Sequence, residues 1–253
     1  MQLDEALHLL AEDAAAPIDV AEVALRLAAD EYSGLDVEGY LSELDSMAHD
    51  AQRYLRGGLS EEAKTTALRH ARLAIAAGGD DAAALAIAGL VIGFLDPRDY
   101  EGALDAFDRS FALSNSSALA LGLSALTRAW HGESAIAIEQ AELALRLSPF
   151  DPLTNQRYMA IAIAHFVAGR FEESAVAANR SVQANPRFSP PYWMRAAALA
   201  SLGRIDEAKI VAQRLLEVQP QFTIASITSA PFANPAILAA LGDALRHVGL
   251  PET

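Results

Sequence analysis

The sequence predicts an all-α protein, an α-solenoid of stacked antiparallel helix pairs, and three observations carry that prediction. The first is an internal repeat. GRFEESAVAANRSVQANP (169–186) and GRIDEAKIVAQRLLEVQP (203–220) each open on Gly-Arg and close on Pro, with starts and ends both 34 residues apart. A fixed period in this range marks helix–turn–helix units, each of which buries its apolar face only against its neighbours. The second is composition. Hydrophobic residues make up 52% of the 253-residue chain, many of them Ala, and no Val/Ile/Thr run alternates strictly. That favours closely packed helices over sheets. The third is the placement of small residues. Ala67, Ala71 and Ala74; Ala103 and Ser110, around Phe107; Ala137, Ala141 and Ala144; Ser174, Ala178 and Ser181; and Ala208 and Ala212, before Leu215, recur on successive second helices. Two antiparallel helices joined by a tight turn approach closely only where side chains are small.

Residues 3–14 place Leu3, Leu7 and Leu10 at helical spacing, and Pro17 ends that helix. Asp19 with Glu22 three positions on forms a capping-box pattern for a helix over 20–32, closed by Ser33-Gly34. Asp36 caps a third helix over 37–56, which Gly57-Gly58 stops. These helices make an acidic N-terminal segment, residues 1–56, outside the repeat register. Ser60 caps a helix over 60–77, with Glu61 and Glu62 complementing its dipole.

The array proper spans 57–222. Its equivalent anchor positions are Gly79, Asn115, Pro149, Pro186 and Pro220, once small insertions at Asp96-Pro97 and 150–154 are allowed for. The first helices carry Leu85 with Ala88-Gly89, Leu121 with Ser124-Ala125, Tyr158 with Ile161-Ala162, and Tyr192 with Arg195-Ala196. The inter-helix turns fall at Asp96-Pro97-Arg98, His131-Gly132, Gly169-Arg170 and Gly203-Arg204, where Gly supplies a left-handed helix end. Asp151-Pro152 and Ser189-Pro190 read as N-cap followed by N1. After Pro220 the period fades. Asn234-Pro235 opens a helix over about 236–247, and 223–253 is expected to cap the array.

On these residues the chain resembles the tetratricopeptide repeat (TPR) family. That resemblance implies a right-handed superhelix of about five TPR-like units, with the first helices lining a concave groove. The stretch 148–253, with LSPFDP, AGRFEESAVAANRSVQANP and LGRIDEAKIVAQRLLEVQPQFT, is similar to the C-terminal TPR region of proteobacterial regulators. Those regulators carry an adenylate/guanylate cyclase or winged-helix domain, which this chain does not match. The resemblance implies a sensory or scaffolding role in bacterial signalling. AEVALRLAADEYSGLDVEGYLSELDSMA, near the N-terminus, resembles the opening of the transglutaminase-like/TPR family, whose catalytic Cys has no counterpart in a chain with no Cys.

Chemistry of other kinds finds little support. Zinc–thiolate sites, disulfides and Cys nucleophiles are excluded by the absence of Cys. His8, His49, His70, His131, His165 and His247 are scattered, and no phosphate-binding or nucleophile-elbow motif occurs. His165 falls at a packing position of a first helix and reads as core or groove. Acid pairs at 80–81 and 172–173 sit at helix starts or loops, where capping and solvation account for them. The net charge is −14 with no basic stripe, a poor match to nucleic acid or anionic membrane. The first 57 residues hold 13 of the acids. The N-terminus has acids where a signal peptide has bases, and the Ala/Leu-rich 82–95 is too short to span a bilayer, so a cytoplasmic protein is expected.

The expectation is therefore a chain that is not an enzyme, needs no cofactor or metal, and binds a protein or peptide. The register places Leu90, Phe94, Leu126, Trp130, Met159, Ile163, Phe166 and Trp193 in the groove, with Ala129, Val167 and Ala197 beside them. This set is apolar and lacks the Lys, Asn and Arg with which some TPRs clamp a carboxylate. An apolar groove is a buried surface in use. It accepts a partner's amphipathic helix or peptide, or it is filled by the chain's own helices 1–56 or by a second copy in a homo-oligomer.

Overall fold

In the computed structural model, residues 61–77, 81–230 and 233–253 are described. They are all-helical and form helix pairs of the α-solenoid kind, in two compact units that divide between Ala120 and Leu121. The helices expected over 3–14, 20–32 and 37–56, and the Ser60 cap, lie outside the described residues.

The first unit holds α1 (Glu61–Ala77), α2 (Ala82–Leu95), a 3-10 turn (Pro97–Asp99) and α3 (Tyr100–Leu113). Asp81 caps α2, its carboxylate accepting from the Ala83 and Ala84 amides at 2.8 and 3.0 Å. α2 packs against both α1 and α3. The core joins Ala71, Ala88, Ile92 and Ala103, with Leu68, Ile75 and Val91 against them. The close approach expected from small residues is literal at Gly89. A Cβ there would lie 3.0 Å from the Ala103 carbonyl oxygen and 3.1 Å from the Phe107 ring.

α4 (Ala118–His131) begins just before the division. The second unit continues with α5 (Ser134–Leu147), α6 (Thr154–Val167), α7 (Phe171–Ala184), α8 (Pro190–Ser201), α9 (Ile205–Val218), α10 (Ala225–Thr228) and α11 (Pro235–Arg246). Here α5 packs on α6, α6 on α7, α7 on α8 and α8 on α9, and the first helices α6 and α8 also touch. Serines among the small positions do more than leave room. Ser110 Oγ donates to the Ala82 carbonyl at 2.6 Å, Ser174 Oγ to Ala162 at 2.8 Å and Ser181 Oγ to Asn155 at 2.7 Å. Each buried bond ties a second helix to its first helix and contributes about 1 kcal/mol.

The expected turns are present. Gly132, Gly169 and Gly203 have φ of 96°, 71° and 75°. In each case the next residue's amide returns to the helix, Glu133 to Arg128, Arg170 to His165 and Arg204 to Leu199, at 2.9–3.0 Å. That is the bond pattern of a Schellman ending. Arg204 also ion-pairs with Glu207 and reaches Glu172 at the start of α7. Two expected N-caps differ. Ser189 precedes Pro190 at N1, but it is itself in the αR region and makes no side-chain cap bond. Asp151 lies three residues before α6, accepts the Leu153 amide at 2.8 Å, and spends its other oxygen on Arg157.

Phe107 is fully buried beside Gly89, so Phe107→Ala should cost about 3–5 kcal/mol in urea unfolding, a transfer term plus a cavity. At Gly169 a Cβ meets only open space, so Gly169→Ala should cost only the left-handed backbone penalty, about 1 kcal/mol.

Candidate functional site

The first helices α6 and α8 bury residues on nearly every side, most of them apolar. α6 buries Met159, Ile163 and Phe166, and α8 buries Trp193, Met194, Ala197 and Leu199. The two tryptophans, 63 positions apart in the chain, meet there, with ring centroids 6.2 Å apart and planes inclined at 37°. Trp130 is 4% exposed and Trp193 is 7% exposed. Leu126 is half-buried on α4. Leu90 and Phe94, also half-buried, stand on α2 in the other unit. Phe166 packs edge-on against Phe171 at 5.3 Å, so its ring closes the α6–α7 turn rather than lining an open surface.

The segment after Pro220 lies on this face. The main neighbours of α11 are α8 and α10. Asn234 caps α11 through the Ala236 amide at 2.9 Å, and Pro235 takes N1 as the sequence predicts. The Asn234 amide itself donates to the Trp130 carbonyl at 3.0 Å, at the end of α4. So α11 starts against one first helix and runs along another. Its buried side is Ile237, Leu238, Leu241, Ala244 and Leu245. A cap stacked in register would sit chiefly on the last second helix, α9. The sequence contained the helix and its N-cap, but nothing local said against which face it would lie.

Sequence reasoning missed Arg157, which is 2% exposed, on α6. Its guanidinium pairs with Asp151 at 2.9 Å. Gly122 on α4 leaves it room, since a Cβ there would come within 2.9 Å of Arg157 Nε. Burial lowers the Arg157 pKa from its ordinary value, and Asp151 opposes that. The signal was present as a lone Arg in an apolar helix with an Asp six residues earlier, but six residues spanning a turn do not register as a helical pair.

His165 is on a different side. It lines a cleft of about 440 Å³ with Glu142 and Arg146 of α5, Tyr158 and Ile161 of α6, and Glu173 and Arg180 of α7. The Arg180 guanidinium lies 5.8 Å from the centre of the Tyr158 ring. The expectation that His165 is core or groove gives way to a half-buried residue between second helices. Among the described residues no cluster of His, Asp or Glu has the makings of a metal site, and no helix is long and apolar enough to cross a membrane.

The fold has solved counterparts. A tetratricopeptide repeat protein from Parabacteroides merdae is 14% identical over 96% of this chain and 97% of that one, with a TM-score of 0.54. The Pseudomonas aeruginosa protein pilF is 11% identical over 75% of this chain and 88% of that one, with a TM-score of 0.52. YrrB, described as a TPR protein with an unusual peptide-binding site, is 17% identical over 70% and 90%, with a TM-score of 0.47. At these identities the likeness establishes the TPR-type fold alone. No protein-family profile and no curated protein matches the chain.

Two outcomes follow from the buried groups. Asp151→Ala strands the Arg157 charge and should cost about 3 kcal/mol in urea unfolding. Burial first, then Arg170, lowers the His165 pKa from 6.5, against the pull of Glu173 and Glu142. The folded state therefore binds the proton less readily than the unfolded chain. The stability His165 lends is complete above its ordinary value and is lost as pH falls through the depressed one. Between about pH 7 and pH 5, urea midpoints of the wild type should fall more steeply than those of His165→Gln.

Proposed function

We propose that this chain is a non-catalytic protein-interaction module. Its first-helix groove takes an amphipathic helix or peptide from a partner protein. The groove residues are Leu126, Trp130, Met159, Ile163 and Trp193, all in the second unit. One observation carries the reading: α11, itself an amphipathic helix, rests on α8 and begins at Trp130. A surface that takes an apolar helix stripe at Ile237, Leu238, Leu241 and Leu245 has the chemistry to take another of the same pattern. The absence of Lys and Arg among the groove residues favours an apolar ligand over a carboxylate terminus. A place in bacterial signalling rests on the resemblance of 148–253 alone.

The same observation supports a second reading, in which the groove is structural and permanently filled from within. The occupant is then the C-terminal segment, whereas the sequence pointed to helices 1–56 or a second copy.

The only two Trp in the chain both lie on this face, so intrinsic fluorescence reports on it specifically. Titrating the full chain with a synthetic peptide of residues 233–250, which contains no Trp, should shift the emission to saturation. A scrambled peptide should leave it unchanged. Leu126→Lys sets a charge on a half-buried position of the face and should weaken the response at least tenfold, with far-UV circular dichroism preserved. An emission indifferent to the peptide and to Leu126→Lys would sink the groove reading.

A further inference from the structure

The C-terminal segment is built as a module that closes on itself. The Ile224 amide donates to the Pro251 carbonyl at 2.8 Å, and the Ala225 amide to Glu252 at 3.0 Å. Arg246 pairs with Asp243 at 2.7 Å and with Glu252 at 2.9 Å. α11 comes so near α10 at Gly242 that a Cβ would lie 2.7 Å from the Thr228 methyl. Phe222, Ile224, Ile227, Val248 and Leu250 are buried along with the inner side of α11. The segment thus satisfies much of its polar chemistry internally. To the helix pairs it offers an apolar side on α8 and the Asn234–Trp130 backbone bond. An element with these ties opens at a lower free energy than the pair-to-pair interfaces, because fewer groups are exposed when it leaves.

We infer that the C-terminal segment, residues 222–230 with 233–252, is an intramolecular stand-in for the partner. It holds the first-helix face closed, and the partner is a helix of the α11 pattern that gains the face by displacing it. This inference rests on the groove reading above and adds to it an occupant, its chemistry and a closed state. The partner's recognition elements follow from α11. They are an Asn-Pro entry whose free backbone amide replaces the Asn234 bond to Trp130, and apolar residues at i, i+1, i+4 and i+8 matching Ile237, Leu238, Leu241 and Leu245. Competition explains how an apolar face stays covered when no partner is bound. A tethered segment acts at an effective concentration of about millimolar. A free peptide of micromolar intrinsic affinity would then bind the closed chain on the order of a hundredfold or more weakly.

The test uses the full chain, the 233–250 peptide, tryptophan emission and amide hydrogen exchange. As the emission response saturates, the Asn234, Ile224 and Ala225 amides should lose protection together, while amides within α6 and α7 keep theirs. Leu241→Asp, which puts a charge on the buried side of α11, should shift the emission to the red without peptide and tighten peptide binding at least tenfold. If that variant loses helicity throughout, Asn234→Ala is the milder probe. It removes the N-cap and should raise peptide affinity severalfold. A saturating response with the three amides still protected means both helices sit on the chain together, and overturns the stand-in while leaving the groove reading intact. No emission response in either variant overturns the groove reading itself. If the chain alone dimerises with rising concentration, and Asn234 loses protection as it does so, the occupant is a second copy's segment and the proposed partner is wrong.

Discussion

Everything in this structure depends on how closely two antiparallel helices come together within a pair. At Gly89 the margin is too small for one methyl group without displacing Phe107 or the Ala103 carbonyl. Helix axes brought this near are held by backbone-to-backbone packing and by hydroxyls that cross the gap, as Ser110, Ser174 and Ser181 do. Close pairs leave little room between first and second helices, and beside Gly89 the Phe107 ring fills it. Other bulky residues, Met159, Ile163, Trp130 and Trp193 among them, are buried on the first helices.

The first helices are also where the C-terminal segment meets the pairs. Met159, Ile163, Trp130 and Trp193 are buried as core residues are, and the two tryptophan rings are in contact. The C-terminal segment packs α11 on α8, with the C-terminal end of that helix tied to its own tail through Arg246 and Glu252 and its N-terminal end to the Trp130 carbonyl. The exposed Arg246 pairs with Asp243 and Glu252 add little energy, being screened by solvent, and it is the Ile224 and Ala225 amides that hold the tail against α10.

The fold was largely legible because its information is local and periodic. Gly132, Gly169 and Gly203 announced left-handed helix ends, and Asn234-Pro235 announced an N-cap with proline at N1. Ser189 misled, because the preference of serine for caps is a tendency and the backbone there is already helical. Arg157 went unnoticed because its partner sits across a turn and its clearance is provided by Gly122 on another helix. The second relation exists only once α4 and α6 are side by side. His165 was assigned to the wrong side, since a helix carrying apolar residues nearly all round gives periodicity no direction to point.

Over the described residues the sequence alone determined the helices, their turns and the small positions at which they cross. All of these depend on neighbours within one or two repeats, so spacing along the chain encodes them. Only the tertiary structure decided that Trp130 and Trp193 meet and that Arg157 is paired in the interior. Only it decided that the helix after Pro220 turns back onto α8. The reason is that an amphipathic helix specifies that it must bury one side, but not against what. That choice is made by whichever apolar surface of matching shape remains uncovered once the pairs have stacked.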